Sequence, residues 1–240
     1  MKKLMFLLFA ASLILFGSCK RAISLQEYET TIYHNGNHQI PVPALSHYEF
    51  HSNNPFHATV TEKGLVLGKY VGETDIMISN GYDEVAYHVT VAPTIWLYSI
   101  PDVNFGESKN SILAKFGTPY EQSSNAFLFA NYDDGPCSLM VTFNQNGLVE
   151  QYVVLVPYKY FQEIALFLNE RYYPLDSYSG KSYYMNALTE DKATLHITAW
   201  LYNSNFWFVL YEPFNSSTKL GKSSFQTPAS IEKALKSPAF

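Results

Sequence analysis

Between about residues 23 and 92, apolar and polar side chains alternate in short runs separated by turn residues. Ala58 and Val60 share one side of a run, and Ile76 and Ile78 share one side of another. Alternation with a period of two places every second side chain on the same face of a strand. The stretch contains no helical period of useful length, so we expect a small β-sandwich.

Glycine-containing turns separate these runs. The dipeptide at 63–64 turns the chain, after which the alternation predicts that Leu65 and Leu67 point into the core. The dipeptide at 80–81 is Asn-Gly, a strong hairpin signal because both residues can adopt positive φ.

After Pro93 the period changes. Ser108 is a candidate helix N-cap and Gly117 a candidate C-cap, which predicts one short helix; a second helix is predicted over about 158–172, with Glu163 and Glu170 on its solvated side. Hairpin-linked strands follow each helix. They are predicted at 125–132, 137–144, 148–156, 181–187, 193–202 and 205–212.

The order of helix then meander occurs twice, which indicates an internal duplication. The predicted fold is therefore an all-β Ig-like sandwich (23–92) followed by an α+β domain of tandem helix and antiparallel meander units (95–214). From 215 to 240, Ser, Thr and Lys accumulate and the periodicity fails until Ile231, Ala234 and Leu235, so we expect a polar, largely disordered tail with one helical turn.

The chain begins with two lysines, an apolar stretch from Leu4 to Phe16 and a small pair before Cys19. This pattern predicts a signal peptide over 1–18. The apolar stretch is shorter than the ~20 residues that a membrane-spanning helix needs.

Gly17, Ser18 and Cys19 resemble the lipobox of bacterial lipoproteins, although Phe16 stands where that family usually has Leu. The resemblance implies that the Cys19 thiol carries a diacylglycerol and that its amine is acylated, so that membrane lipid is the partner. Several acyl chains give stable anchoring where one does not. The alternative is an ordinary secretory signal with an incidental cysteine.

Removing 1–18 changes the formal charge from -5 to -7, because Lys2 and Lys3 are lost (14 Lys+Arg against 21 Asp+Glu). Such an acidic chain lacks the electrostatic footprint of a nucleic-acid-binding protein. With Cys19 acylated, only Cys137 remains, so no disulfide can form within the chain. Cys137 falls on the apolar side of its strand and is predicted to be buried and unreactive.

The first domain resembles bacterial Ig-like domains of group 2. The matching residues are Ser52-Asn53-Asn54, Ala58-Thr59-Val60, Gly64, Gly68, Gly72-Glu73-Thr74, Ile76 and Val89-Thr90-Val91. The resemblance departs at 48–50, where family members usually carry a core ring such as Trp. It implies a spacer, stalk or adhesive module and supplies no catalytic residue.

The helix of the second domain is similar to that of the SmpA/OmlA and β-lactamase-inhibitor-protein superfamily. The matching residues are Gly106-Glu107-Ser108, Ile112 and Phe116-Gly117-Thr118-Pro119. The resemblance implies protein recognition through the open face of the sheet.

One side of the predicted strand 193–202 combines aromatic and hydroxyl side chains, a mixture that protein interfaces favour. Two rings of the next strand are expected to extend it. The candidate binding residues are His196, Trp200, Tyr202, Trp207 and Tyr211. The alternative is that these rings cover one another or pack on the first domain.

The sequence offers no catalytic motif and no metal-ligand spacing. His34 and His38 flank a turn, which does not hold two imidazoles on one ion. We therefore expect no cofactor, no metal and no enzymatic activity.

These features predict an envelope lipoprotein that binds a protein or surface polysaccharide without catalysis; a cell-wall hydrolase and a purely structural stalk remain the alternatives. The segment Ser18-Cys19-Lys20 resembles the start of Bacteroides-type lipoproteins. Surface export of those proteins is associated with an acidic run after the Cys. Lys20-Arg21-Ala22 is not acidic. This favours an outer-membrane protein facing the periplasm, with the cell surface as the alternative.

Overall fold

The computed structural model describes residues 22–42, 47–214 and 225–236. It confirms the predicted class, a β-sandwich followed by an α+β unit. Cys19 and the predicted signal peptide lie outside the described residues. None of the described helices is both long and apolar enough to cross a membrane.

Two sheets form the sandwich. Its strands are β1 (Glu29–Tyr33), β2 (Asn37–Gln39), β3 (Glu49–Ser52), β4 (Ala58–Val60), β5 (Leu65–Gly68), β6 (Gly72–Ser79) and β7 (Glu84–Ala92). One sheet has the order β1-β7-β6-β3 and the other the order β2-β5-β4. All pairs are antiparallel except β1 with β7. Buried side chains from both sheets share one core.

The predicted alternation holds for β6 and fails for β5. Ile76 and Ile78 are fully buried, as predicted. In β5, however, Val66 is buried whereas Leu65 and Leu67 are half-buried, so the predicted facing is reversed. The turn before β5 explains the difference: Gly64 has a φ of 78° and its N–H bonds to Thr61, which sets the strand one residue out of the expected phase.

The α+β unit contains one eight-stranded antiparallel sheet. Its elements are α1 (Lys109–Phe116), β8 (Glu121–Gln122), β9 (Ala126–Phe129), β10 (Ser138–Phe143), β11 (Val149–Pro157), α2 (Phe161–Asn169), β12 (Tyr173–Tyr178), β13 (Lys181–Met185), β14 (Leu195–Leu201) and β15 (Phe206–Pro213). The strand order is β12-β13-β14-β15-β11-β10-β9-β8. Each helix precedes a four-stranded meander, in the order predicted, and the last strands of the two meanders pair at the centre of the sheet.

The caps of α1 follow the sequence prediction. The Ser108 hydroxyl accepts a hydrogen bond from the Ser111 N–H at 3.2 Å. At the other end, Gly117 has a φ of 79° and its N–H bonds to the Leu113 carbonyl at 2.9 Å. The short helix is therefore closed at both ends by residues suited to those conformations.

The second helix is shorter than predicted, because α2 ends at Asn169 and β12 begins at Tyr173. Strand β12 was not predicted from the sequence. Its side chains are mostly exposed and it contains Pro174, which is tolerated at the edge of a sheet.

The eight-stranded sheet packs on both faces. The inner face, defined here as the one under α1 and α2, carries the larger core. The outer face packs against α3 (Ala229–Leu235), where Ile231 and Leu235 are buried. This helix lies in the part of the tail where the sequence predicts one helical turn, and two apolar residues four positions apart bury one stripe of it on the sheet. Residues 215–224 and 237–240 lie outside the described part.

Candidate functional site

The five candidate binding residues do not form one surface. Trp207 lies opposite Leu201, and Tyr211 lies opposite Ile197. Directly opposite residues share a face of an antiparallel pair. Trp207 and Tyr211 therefore belong to the inner face, whereas Trp200 points to the outer face. The expectation that both strands extend the same ring surface is wrong.

Trp200 and Tyr202 are half-buried by rings of the same chain. Trp200 meets Phe208 edge-on at 5.5 Å between centroids and Phe225 at 5.8 Å. Tyr202 stacks on Phe208 at 4.1 Å, and the Lys181 ammonium lies 5.0 Å from the Trp200 ring centroid. This is the arrangement predicted by the alternative in which the rings cover one another.

His196 is held in a polar row that crosses the outer face. Its Nδ1 lies 3.0 Å from Glu212 Oε1, and its ring stacks on Tyr183 with 4° between the planes. The other Glu212 oxygen accepts a hydrogen bond from Gln151 at 3.2 Å. The His196 ring therefore contacts Tyr183 through its face and Glu212 through Nδ1.

Tyr211 is fully buried in the inner core. Its hydroxyl shares a 2.8 Å hydrogen bond with the Tyr98 hydroxyl, and its ring meets Tyr172 edge-on. Burial raises the pKa of all three phenols well above the usual value of 10.0. These hydroxyls therefore stay protonated in the neutral range and cannot serve as surface contacts.

Residues at the end of α2 form hydrogen bonds with residues 94–95, the linker between the sandwich and the α+β unit. The buried Glu170 carboxylate accepts hydrogen bonds from the Thr94 N–H at 3.0 Å, from the Ile95 N–H at 3.3 Å and from the Thr94 hydroxyl. The Glu170 carbonyl accepts a 2.7 Å bond from the Val71 N–H of the sandwich. The predicted solvation of Glu170 is therefore wrong: its charge is satisfied by the linker.

Arg171 completes this junction and is only 5% exposed. Its Nη1 donates to the Phe167 carbonyl and its Nη2 to the Ile95 carbonyl, each at 3.0 Å. The guanidinium carbon lies 3.8 Å from the Phe167 ring centroid, and Nη1 lies 3.6 Å from Glu170 Oε2. Burial lowers the pKa of Arg171 and the Glu170 charge opposes that shift.

A cavity of about 600 Å³ lies between the two units at this junction. Ligand sites favour domain interfaces, and this volume falls within their usual range of ~300–1,000 Å³. The apolar lining residues are Pro55, Phe56, Val71, Ile100, Ala187 and Leu188; the polar ones are Asn54, His57, Arg171, Tyr172, Asn186, Thr189 and Lys192.

The sandwich side of the cavity is built on a stack of rings. Phe56 stacks on Tyr70 at 4.5 Å between centroids. The His57 Nδ1 lies 3.1 Å from the Tyr70 carbonyl oxygen, and the imidazole covers Gly72. A Cβ at Gly72 would meet that ring at 2.2 Å, and its φ of 143° also favours glycine. Gly72 therefore makes room for the ring that forms this wall.

This site was not predicted from the sequence. Its one signal is the spacing of Ile164, Phe167, Leu168 and Arg171, which puts Arg171 in line with the buried stripe of α2, two residues past the end of the helix. The cavity itself joins segments more than a hundred positions apart, which periodicity does not bring together.

Other side chains that could take part in chemistry are buried or hydrogen-bonded within the fold. Cys137 is fully buried, as predicted, and burial raises its pKa to about 12. His38 Nε2 lies 2.9 Å from the Tyr87 hydroxyl, and His34 Nδ1 contacts the Lys69 carbonyl. Within 22–42, 47–214 and 225–236, His, Cys, Asp and Glu side chains form no group of three that could hold a metal ion.

No family model matches the sequence, and no curated protein matches it. Solved structures of the surface layer protein SbsC align with it at a TM-score of 0.26. Domains 5–6 of that protein share 12% identity over 81% of this chain and 84% of theirs; domains 4–9 share 12% over 82% and 27%, and domains 1–6 share 10% over 87% and 26%. The chain thus spans about a quarter of the length of two of these structures. A TM-score of 0.26 is too low to define a common fold.

Proposed function

We propose that this protein is a lipid-anchored, non-catalytic binding module of the bacterial envelope, and that its ligand occupies the junction cavity. The sandwich spaces the α+β unit from the membrane. The outer-membrane leaflet facing the periplasm is the proposed location, because no acidic run follows Cys19.

The observation that carries this proposal is the junction cavity, which lies beside a linker held in place by hydrogen bonds. Glu170 and Arg171 hold the linker and the edge of the sandwich through hydrogen bonds that are buried or half-buried. Binding to a preformed cavity costs less ordering than binding to a mobile cleft.

The burial and the contacts of the reactive side chains support the proposed non-catalytic role. A nucleophile needs exposure and a neighbouring base. The Cys137 thiol is buried with a raised pKa, and the buried tyrosine hydroxyls keep their protons. The imidazole of His196 is clamped between Glu212 and Tyr183.

The covered outer face supports a second candidate function, a stalk or assembly subunit with no ligand. Phe225 and α3 pack where the open recognition surface was expected. This observation argues against binding through the Trp200 surface and has no bearing on the junction cavity.

The anchor is tested by labelling cells with radioactive palmitate. The wild-type protein is expected to take up label and to sediment with membranes, and Cys19→Ala is expected to lose both properties. Label on the Cys19→Ala variant, or a soluble unlabelled wild type, would contradict the anchor.

The ligand is tested by native mass spectrometry of protein extracted from its own membranes. We expect one small molecule bound per chain, lost in Leu188→Asp, which places a carboxylate in the cavity lining. Leu201→Asp is the matched control, because Leu201 is 43% exposed against 41% for Leu188 and lies outside the cavity. A wild type that carries no molecule would favour the stalk.

A further inference from the structure

We propose that the junction cavity binds an amphipathic anion, a small molecule with an apolar body and one carboxylate or phosphate group. This inference rests on the proposed function, since it names the ligand class of the same cavity.

The apolar half of the lining fits a hydrocarbon or ring body. Phe56, Val71 and Ala187 line it from the two units, with the exposed Ile100 and Leu188 beside them. Two exposed aliphatic side chains at one cavity are costly in water, because burying apolar surface is favourable. An apolar ligand body would remove both from water.

The polar half of the lining fits a negative group. Arg171 lines the cavity with a buried guanidinium, which donates to the Phe167 and Ile95 carbonyls and lies 3.6 Å from Glu170 Oε2. Lys192 is exposed and has no carboxylate partner among the described residues. In a partly desolvated cavity, charge-assisted bonds to these donors are roughly twice as strong as neutral ones.

The charged residues that line the cavity are basic, although the chain as a whole is acidic. Acidic residues outnumber basic ones by 21 to 16 overall, yet the lining contains Arg171 and Lys192 and neither Asp nor Glu. Glu190 and Asp191 precede Lys192 in the chain but do not line the cavity. A cationic ligand would meet the Lys192 ammonium there and no carboxylate among the lining residues.

The test is calorimetric titration of the mature chain carrying Cys19→Ala with four ten-carbon amphiphiles below their micellar concentrations. Decanoate and decyl phosphate are expected to bind at least about 10-fold more tightly than decanol, and decyltrimethylammonium not measurably. The two anions separate a fatty-acid source from a phospholipid source, because the preferred source is the tighter of the two.

Lys192→Glu is expected to weaken anion binding by about 10-fold and to leave decanol binding unchanged. Lys63→Glu is the matched control, an exposed lysine at a turn outside the cavity, and is expected to change neither. Circular dichroism confirms that each variant is folded.

Equal affinity for all four amphiphiles, an unaffected Lys192→Glu variant, or no binding of either anion would each overturn the proposed ligand class. If membrane-extracted protein still carries a molecule in that case, the class is wrong and the binding function stands.

Discussion

Two acidic residues at opposite ends of α2 have different surroundings, which their positions in the sequence alone do not reveal. Glu163 and Glu170 both fall on the polar side of a helical projection, so the sequence predicts solvation for each. The structure buries Glu170 because the linker residues 94–95 bring N–H donors to it. The difference arises from tertiary contacts across the junction, which local periodicity does not contain.

Glu170→Ala is expected to lower the free energy of unfolding by about 3–5 kcal/mol, because it leaves linker donors unpaired and the buried Arg171 uncompensated. Glu163→Ala, on the same helix, is the control and should change it by less than about 0.5 kcal/mol. Urea unfolding measures both. Equal effects of the two substitutions would contradict the assigned role of Glu170.

The buried thiol and phenols predict loss of stability in alkali. Burial raises the pKa of Cys137 from 9.0 to about 12 and those of Tyr98 and Tyr211 well above 10.0. Above pH about 9 the unfolded chain therefore loses these protons first. The stabilisation is full below that pH and falls as pH rises towards the folded values, by about 1.4 kcal/mol per pH unit for each ionising group.

Urea unfolding at pH 8, 9.5 and 11 checks this slope. Tyr98→Phe removes one ionising hydroxyl and the bond to Tyr211, so it should cost about 1 kcal/mol at pH 8 and flatten the decline above pH 9.5. A wild type as stable at pH 11 as at pH 8 would be inconsistent with these buried groups.

Elements with local signals were predictable, and those defined by partners were not. Ser108 and Gly117 set the ends of α1, so its bounds follow from sequence. The faces of β14 and β15 depend instead on their register: odd-numbered residues lie opposite odd-numbered ones, which puts Trp207 across from Leu201. A connection one residue longer would have reversed that face.

The tail helix α3 is an element of the core despite its polar composition. Ile231 is fully buried against the outer face. Ile231→Ala is therefore expected to lower the free energy of unfolding by about 2–4 kcal/mol. Lys233→Ala, exposed on the same helix, should change it by less than about 0.5 kcal/mol; thermal unfolding that ranks the two equally would mean that α3 does not stabilise the sheet.

At the scale of the whole molecule, fold class and the order of helix and meander followed from the sequence because both are repeated local patterns. The junction did not, because 54–57 of the sandwich and 186–189 of the α+β unit meet only in three dimensions. The proposed function lies at that meeting point. The fold carries two β-rich units, and the buried pair Glu170 and Arg171 holds the linker between them.

The central claim is that a ligand occupies the junction cavity, and the most direct measurement is an experimental structure of the protein extracted from its own envelope. We predict density for one amphipathic molecule, with its apolar body beside Phe56 and Leu188 and its negative group towards Arg171 and Lys192. An empty cavity, with a bound molecule or partner on the outer face around Trp200 instead, would contradict the account.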